Sequence, residues 1–106
     1  MKYKYTVTAV RWFDKVNGNT YHSARVFNNE TGEMIYCPYE YGYGEHYRQT
    51  ALNVMAERGW LPEQYRGRHD NGSPKWGGYE RENNYPILWH VVDWKKKECI
   101  ANGQEA

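Results

Sequence analysis

One stretch, Tyr36 to Trp60 (YCPYEYGYGEHYRQTALNVMAERGW), limits what this chain can become, because it holds the only convincing helix. Tyr47, Ala51, Val54 and Met55 fall at i, i+4, i+7 and i+8, a stripe that buries one helical face. Gln49, Asn53 and Glu57 take the opposite face. The helix is expected to start after Gly44, with Gly44 at the N-cap. Glu45 in the first turn suits the positive end of the helix dipole and lies three residues before Arg48. The exit is sharper. Gly59 fits the left-handed C′ position, Trp60 follows within reach of Met55, and Pro62 prevents resumption.

Around this helix the chain reads as strands. Lys2 to Phe13 alternates with period two, and Asp14 to Asn19 reads as a hairpin turn with Asn17-Gly18 as a type I′ pair. Thr20 to Asn28 is the return strand, and a second turn, Asn28 to Glu33, contains Gly32. Met34 to Tyr41 is the third strand, where Pro38 signals an edge or a bulge. Tyr85 to Trp94 is apolar on both faces, which places it centrally in the sheet and makes His90 an interior histidine. Residues 61–78 carry Gly67, Gly72, Pro74 and Gly77 and read as a long mobile or ligand-facing loop. Lys95 to Lys97 begins a polar end, with Cys99-Ile100 returning to the fold before a frayed tail over 101–106. The fold class is therefore α+β: one domain over 1–106, with a mainly antiparallel sheet of four or five strands in the order β-β-β-α-β and one helix on a face.

Composition excludes some functions. Formal charge is +1 with 25% charged residues, so no basic field draws the chain to nucleic acid nonspecifically. Aromatic residues make up 17%, with eleven Tyr and five Trp, more rings than a chain of 106 residues buries completely. Some must face solvent, which points to a binding surface or a homo-oligomer contact. Cys37 and Cys99 make no disulfide framework, and no apolar run approaches a membrane span. A cytoplasmic protein with free thiols and no membrane partner is expected.

No catalytic residue emerges. The four histidines (His22, His46, His69 and His90) have no zinc-ligand spacing with one another or with either cysteine, so no metal and no cofactor is expected. A metal site would have to be assembled in three dimensions. Walker, dinucleotide and G-x-S-x-G signatures are absent. Two surfaces remain. Tyr41-Gly42-Tyr43-Gly44 leads into helix amides that no side chain obviously caps, next to His46 and Arg48, which together would hold an anion. The competing reading is that the glycines make a tight turn and the tyrosines finish a core. Arg66, Arg68 and Trp76 lie in the long loop, where arginine forks suit phosphate and rings suit bases. The alternative there is a solvated loop whose Trp76 tucks back onto the core.

RWFDKVNGNTYHSARV (Arg11 to Val26), YGYGEHYRQTA (Tyr41 to Ala51) and YERENNYPILWHVVD resemble segments of small proteins encoded by tailed phages and prophages. The resemblance runs over most of the chain and brings no catalytic residues with it. It implies an accessory role in an infected bacterial cell, such as counter-defence. Together with the two surfaces, it leads to the expectation of a non-enzymatic protein that captures a phosphate-bearing nucleotide or nucleotide signal. Tyr41, Tyr43, Gly44, His46, Arg48, Arg66, Arg68 and Trp76 would form its site. The alternatives are an inhibitor docking on a host protein, with aromatic anchors, and a single-stranded nucleic-acid binder.

Overall fold

The computed structural model describes residues 3–105; Lys2 and Ala106, at the outer limits of the expected first strand and tail, lie outside them. Strands β1 (Tyr5–Asp14), β2 (Asn19–Asn28) and β3 (Met34–Tyr41) form the expected meander, and helix α1 (His46–Glu57) follows. Both hairpins close by the same device. The Asp14 carboxylate accepts the amides of Val16 and Asn17, and the Gly18 amide returns to the Asp14 carbonyl. The Asn28 side chain accepts the amides of Glu30 and Thr31, and the Gly32 amide returns to the Asn28 carbonyl. Gly18 and Gly32 take φ of +71° and +81°, a conformation that costs an ordinary residue roughly 1–2 kcal/mol. The first connection is thus not a type I′ turn, because Asn17 lacks the positive φ that such a turn needs.

Strand β4 (Ile87–Asp93) departs from expectation. It lies parallel to β1, from Ile87 opposite Tyr5 to Asp93 opposite Arg11, giving the order β3-β2-β1-β4. The sheet is mixed rather than mainly antiparallel, and β4 is an edge strand rather than a central one. The meander leaves the outer edge of β1 unpaired. To reach it the chain crosses the sheet through α1 and arrives running in the direction of β1. Ile87, Trp89 and Val91 join the core under α1, whereas Leu88 and His90 on the other face stay exposed. His90 is therefore not interior. Tyr85 does not open the strand; it follows Asn84 in left-handed conformation, with its amide on the Glu80 carbonyl.

The core lies between the sheet and α1. Tyr5, Val7 and Ala9 of β1 meet Ala24 and Val26 of β2 and Ile35 and Cys37 of β3. The helix contributes Tyr47, Ala51 and Met55, as its stripe predicts, and also Leu52 and Ala56, with Val54 only partly buried. Its exit is a Schellman motif. The Trp60 amide reaches the Met55 carbonyl at 2.9 Å, and the Gly59 amide reaches that of Ala56 at 3.2 Å, with Gly59 at φ +76°. Trp60 then stacks on Tyr5 with centroids 5.7 Å apart, and the Tyr5 hydroxyl donates to the Trp60 carbonyl at 2.7 Å. One ring thus ties the helix exit to the first strand.

Residues 61–78 are more ordered than their glycines suggest. Short 3-10 turns at Glu63–Tyr65 and Lys75–Gly78 flank a small hairpin in which Arg68 bridges Pro74. The short helix α2 (Tyr79–Glu82) leads on toward β4. Tyr65 and Tyr79 pack edge to face beneath this segment, and the Tyr65 hydroxyl donates to Glu82 at 2.8 Å.

A third helix, α3 (Lys96–Asn102), occupies the expected polar end and packs on the far face of the sheet. The Ser23 hydroxyl donates to the Cys99 carbonyl, Asn102 Nδ2 to the Thr8 carbonyl, and Arg25 Nε to the Asn102 carbonyl. Gly103 is buried: a Cβ there would lie 2.7 Å from the Cys37 carbonyl oxygen and 2.9 Å from Ser23 Cβ. Residues 101–103 are therefore docked, not frayed. Among the described residues no helix is long and apolar enough to cross a membrane. Because the atoms around Gly103 belong to two strands and cannot step aside, Gly103→Ala is expected to cost about 1–3 kcal/mol. A lowered urea midpoint with unchanged slope checks this, and Gln104→Ala, on an exposed residue, is the neutral control.

Candidate functional site

The site begins with a slip of one residue. β2 and β3 keep one register from Phe27 opposite Met34 to Ala24 opposite Cys37, and then shift so that His22 faces Glu40. Pro38 sits at the shift, where it has no amide to give the ladder. In the unshifted register Tyr39 would stand opposite His22. Instead Glu40 joins His22 on the α1 side, and Tyr39 stacks on Tyr21 of the far face at 5.1 Å.

His22 is fully buried. Its Nδ1 lies 3.2 Å from the Gly42 carbonyl oxygen, and its Nε2 lies 2.8 Å from Thr50 Oγ1 and 3.5 Å from Glu40 Oε1. A carbonyl can only accept, so Nδ1 carries the hydrogen. Burial lowers the pKa of the ring, against the opposing pull of the Gly42 carbonyl and Glu40. The imidazole is thus neutral near pH 7, with an Nε2 lone pair facing the Thr50 hydroxyl. That hydroxyl is also 2.9 Å from Glu40 Oε1. One hydrogen faces two acceptors.

His46, at the first position of α1, lays its ring against His22 with centroids 5.2 Å apart. Gly42 makes room for both. A Cβ at Gly42 would lie 2.7 Å from atoms of each imidazole. The two glycines of the Tyr41–Gly44 turn therefore serve different ends: Gly42 for its missing side chain, Gly44 for its φ of +62°.

Outside the two rings a cleft of about 300 Å³ runs between α1 and the 67–75 hairpin. Glu40, His46, Gln49, Thr50 and Asn53 line one wall, and Arg68 and Trp76 close the other. Arg68 is steadied by donating to the Gly72 carbonyl at 2.8 Å, and Trp76 Nε1 approaches Asn53 Oδ1 at 3.4 Å. Three of the residues expected from sequence, His46, Arg68 and Trp76, meet here.

The others lie elsewhere. Arg66 lines an adjoining cleft of about 460 Å³ with Gly67, Glu57 and Arg58, joined to the first through Val54. Arg48 leaves α1 on another side, its guanidinium 4.9 Å from the Trp89 ring centroid. Tyr41 packs edge-on to Tyr21 on the far face, and Tyr43 is exposed; neither lines the cleft. Gly44 borders a recess beside Arg11 and Asp93, and its carbonyl accepts from Arg11 at 2.8 Å. The N-cap is Glu45, not Gly44. No side chain caps the helix, as expected, but the His46 amide bonds to the Tyr43 carbonyl and the Arg48 amide to that of Glu45. With those two amides occupied and a carboxylate at the cap, the helix start is a poorer anion site than the sequence suggests.

His22, Glu40, Thr50 and Asn53 escape a sequence reading because no spacing links them. Pro38 is the only local signal, and it marks an irregularity without saying which residue the irregularity brings forward. The thiols lie apart from this site. Cys37 and Cys99 are both buried and free; burial pushes Cys37 up to about 11, with Glu40 adding to the rise, and raises Cys99 too. Neither is a thiolate at neutral pH.

No family model, curated protein or solved structure matches this chain.

Two measurements follow from the thiols. As pH rises, Cys37 loses its proton near 9 in the unfolded chain but only near 11 in the fold, so the unfolded state binds fewer protons and stability falls across that interval. The urea midpoint is expected to drop there, with a shallower decline in Cys37→Ala. A thiol reagent at neutral pH should label neither cysteine until denaturant is added; rapid labelling of the native protein would contradict this burial.

Proposed function

We propose that this chain is a non-enzymatic binding protein that captures a small phosphate-bearing molecule, a nucleotide or nucleotide-derived signal. The site is the cleft between α1 and the 67–75 hairpin. The observation that carries this reading is the convergence of His46, Arg68 and Trp76, from separate segments, on one concavity of about 300 Å³, within the size range of small-molecule sites. Arg68 offers forked donors to phosphate, and Trp76 offers a ring face to a base. Gln49 and Asn53 carry amides that both donate and accept, as recognition of a base edge requires. Glu40 opposes an anion placed at its own end of the cleft. The phosphate therefore belongs near Arg68, and the neutral part of the ligand nearer α1. In the phage setting that the resemblance implies, such capture would withdraw a signal from a host defence.

Calorimetric titration with a nucleotide panel, ATP as the first probe, tests this. Arg68→Ala is expected to weaken binding at least tenfold, and Trp76→Leu to remove a stacking contribution of about 1–3 kcal/mol. Arg48→Ala should leave affinity unchanged, because that guanidinium lies against Trp89. Silence across the panel, or equal affinity in Arg68→Ala, would overturn the reading.

A specific feature favours a second reading, docking on a host protein. β1, β3 and β4 run in the same direction, and their ends bring Phe13, Tyr41, Tyr43 and Trp94 to one rim of the sheet, all more than half exposed. Clustered exposed rings of this kind serve as anchors in protein interfaces. On this reading Trp94→Ala and Phe13→Ala would abolish capture of a host protein, capture would change little with salt, and Arg68→Ala would have no effect.

A further inference from the structure

We propose that His22, Glu40 and His46 form a binding site for a divalent first-row transition metal ion of the zinc class. The ligand atoms of these three side chains lie within 4.8 Å of one another, and theirs is the one such group of His, Cys, Asp or Glu among the described residues. His22 Nε2 and Glu40 Oε1 are 3.5 Å apart. A tetrahedral ion with bonds near 2.0–2.1 Å spans ligands roughly 3.3–3.4 Å apart, so this pair needs almost no movement. The donor set, two imidazoles and a carboxylate, suits zinc and its neighbours rather than calcium or magnesium, which favour oxygen alone.

The surroundings are those of a metal-ligating histidine. Such a ring usually gives its other N–H to a carbonyl or carboxylate, which fixes its tautomer and orientation. His22 Nδ1 faces the Gly42 carbonyl at 3.2 Å, which makes Nε2 the ligand atom. The Thr50 hydroxyl, now 2.8 Å from Nε2, would give way to the ion and keep only its bond to Glu40. Glu40 is held by the Thr50 hydroxyl at 2.9 Å. A cation would also settle the local imbalance, in which the Nε2 lone pair and the Glu40 carboxylate compete for one hydroxyl hydrogen. Gly42 leaves the space that lets two imidazoles approach the same point, where any Cβ would strike both. Three protein ligands leave a fourth position, and Glu40 and His46 also line the cleft toward which it would open. The inference stands on the trio itself and holds whether or not a nucleotide enters the cleft.

The test is titration of chelator-stripped protein with Zn²⁺ alone, followed by calorimetry, and with Co²⁺, whose visible absorption reports four-coordinate geometry. One ion per chain is expected, together with a raised melting temperature. His46→Ala should weaken binding by more than about 100-fold, and Thr50→Val, which leaves all three ligands, by roughly 10- to 100-fold, as outer-shell changes do. His69→Ala and His90→Ala, on exposed histidines, should bind as the parent does. His22→Ala empties a buried position and is a poor first choice. Circular dichroism of His46→Ala guards against unfolding, and Glu40→Gln, on an exposed residue, gives an independent comparison. Failure of the parent to take up Zn²⁺ would overturn the proposal, as would affinity unchanged in both His46→Ala and Glu40→Gln. Nucleotide binding is measured separately, so either reading can fail while the other stands.

Discussion

The structure depends on the pairing of β1 along both edges. Ten residues from Tyr5 to Asp14 lie against β2, and seven of them also lie against β4. A strand so enclosed must bury side chains on the face it turns to the helix, and Tyr5, Val7 and Ala9 do so with almost no exposure. Tyr5 has the most to satisfy, since burying a phenol without a partner carries a penalty comparable to a lost hydrogen bond. The Trp60 carbonyl, delivered by the Schellman exit of α1, meets that need. The helix end and the central strand are thus fixed by one contact, and α1 cannot shift along the sheet without leaving the buried Tyr5 hydroxyl unpaired.

With α1 fixed, the proline-marked slip in β3 decides what lies beneath its first turns. Strand alternation would pair a tyrosine with His22. The added residue substitutes a carboxylate, and Thr50 on α1 is placed to bond with both. The result is a buried neutral imidazole, a half-exposed carboxylate and a second imidazole at the edge of solvent, all served by very few hydrogens. Polar groups in low dielectric interact strongly and are costly when unmatched. Such a cluster is a poor way to gain stability.

Two surfaces compete for the functional reading, and they differ in physical kind. The cleft beside α1 is concave, polar and bordered by Arg68 and Trp76. The far end of the sheet is aromatic: Trp12, Tyr21 and Tyr39 stack in a row, and exposed Tyr41 meets Tyr21 edge-on. A small ligand gains most from concavity, a protein partner from exposed rings. Charge bears on the first case. Glu40 makes one end of the cleft unfriendly to phosphate; a bound cation would reverse that sign and make the same end attractive.

Much of the architecture was legible in the sequence because it rests on local rules. Period-two alternation marks three strands of the meander, helical spacing and the glycine exit mark α1, and Pro38 marks an irregular edge strand. The start of α1 and the Arg66–Trp76 stretch were also visible as unusual, and His46 from the first and Arg68 and Trp76 from the second reach one cleft. The parallel placement of β4, the exposure of His90 and the docking of α3 and Gly103 were not, because each depends on which sheet edge and which face remain open after the rest has packed. Asn102 looks like a tail residue until a sheet supplies its partner. The meeting of His22, Glu40, His46 and Thr50 belongs to the same class. Strand register, a bulge and a helix on the sheet must all be in place before those four side chains share a point, and no spacing along the chain records that.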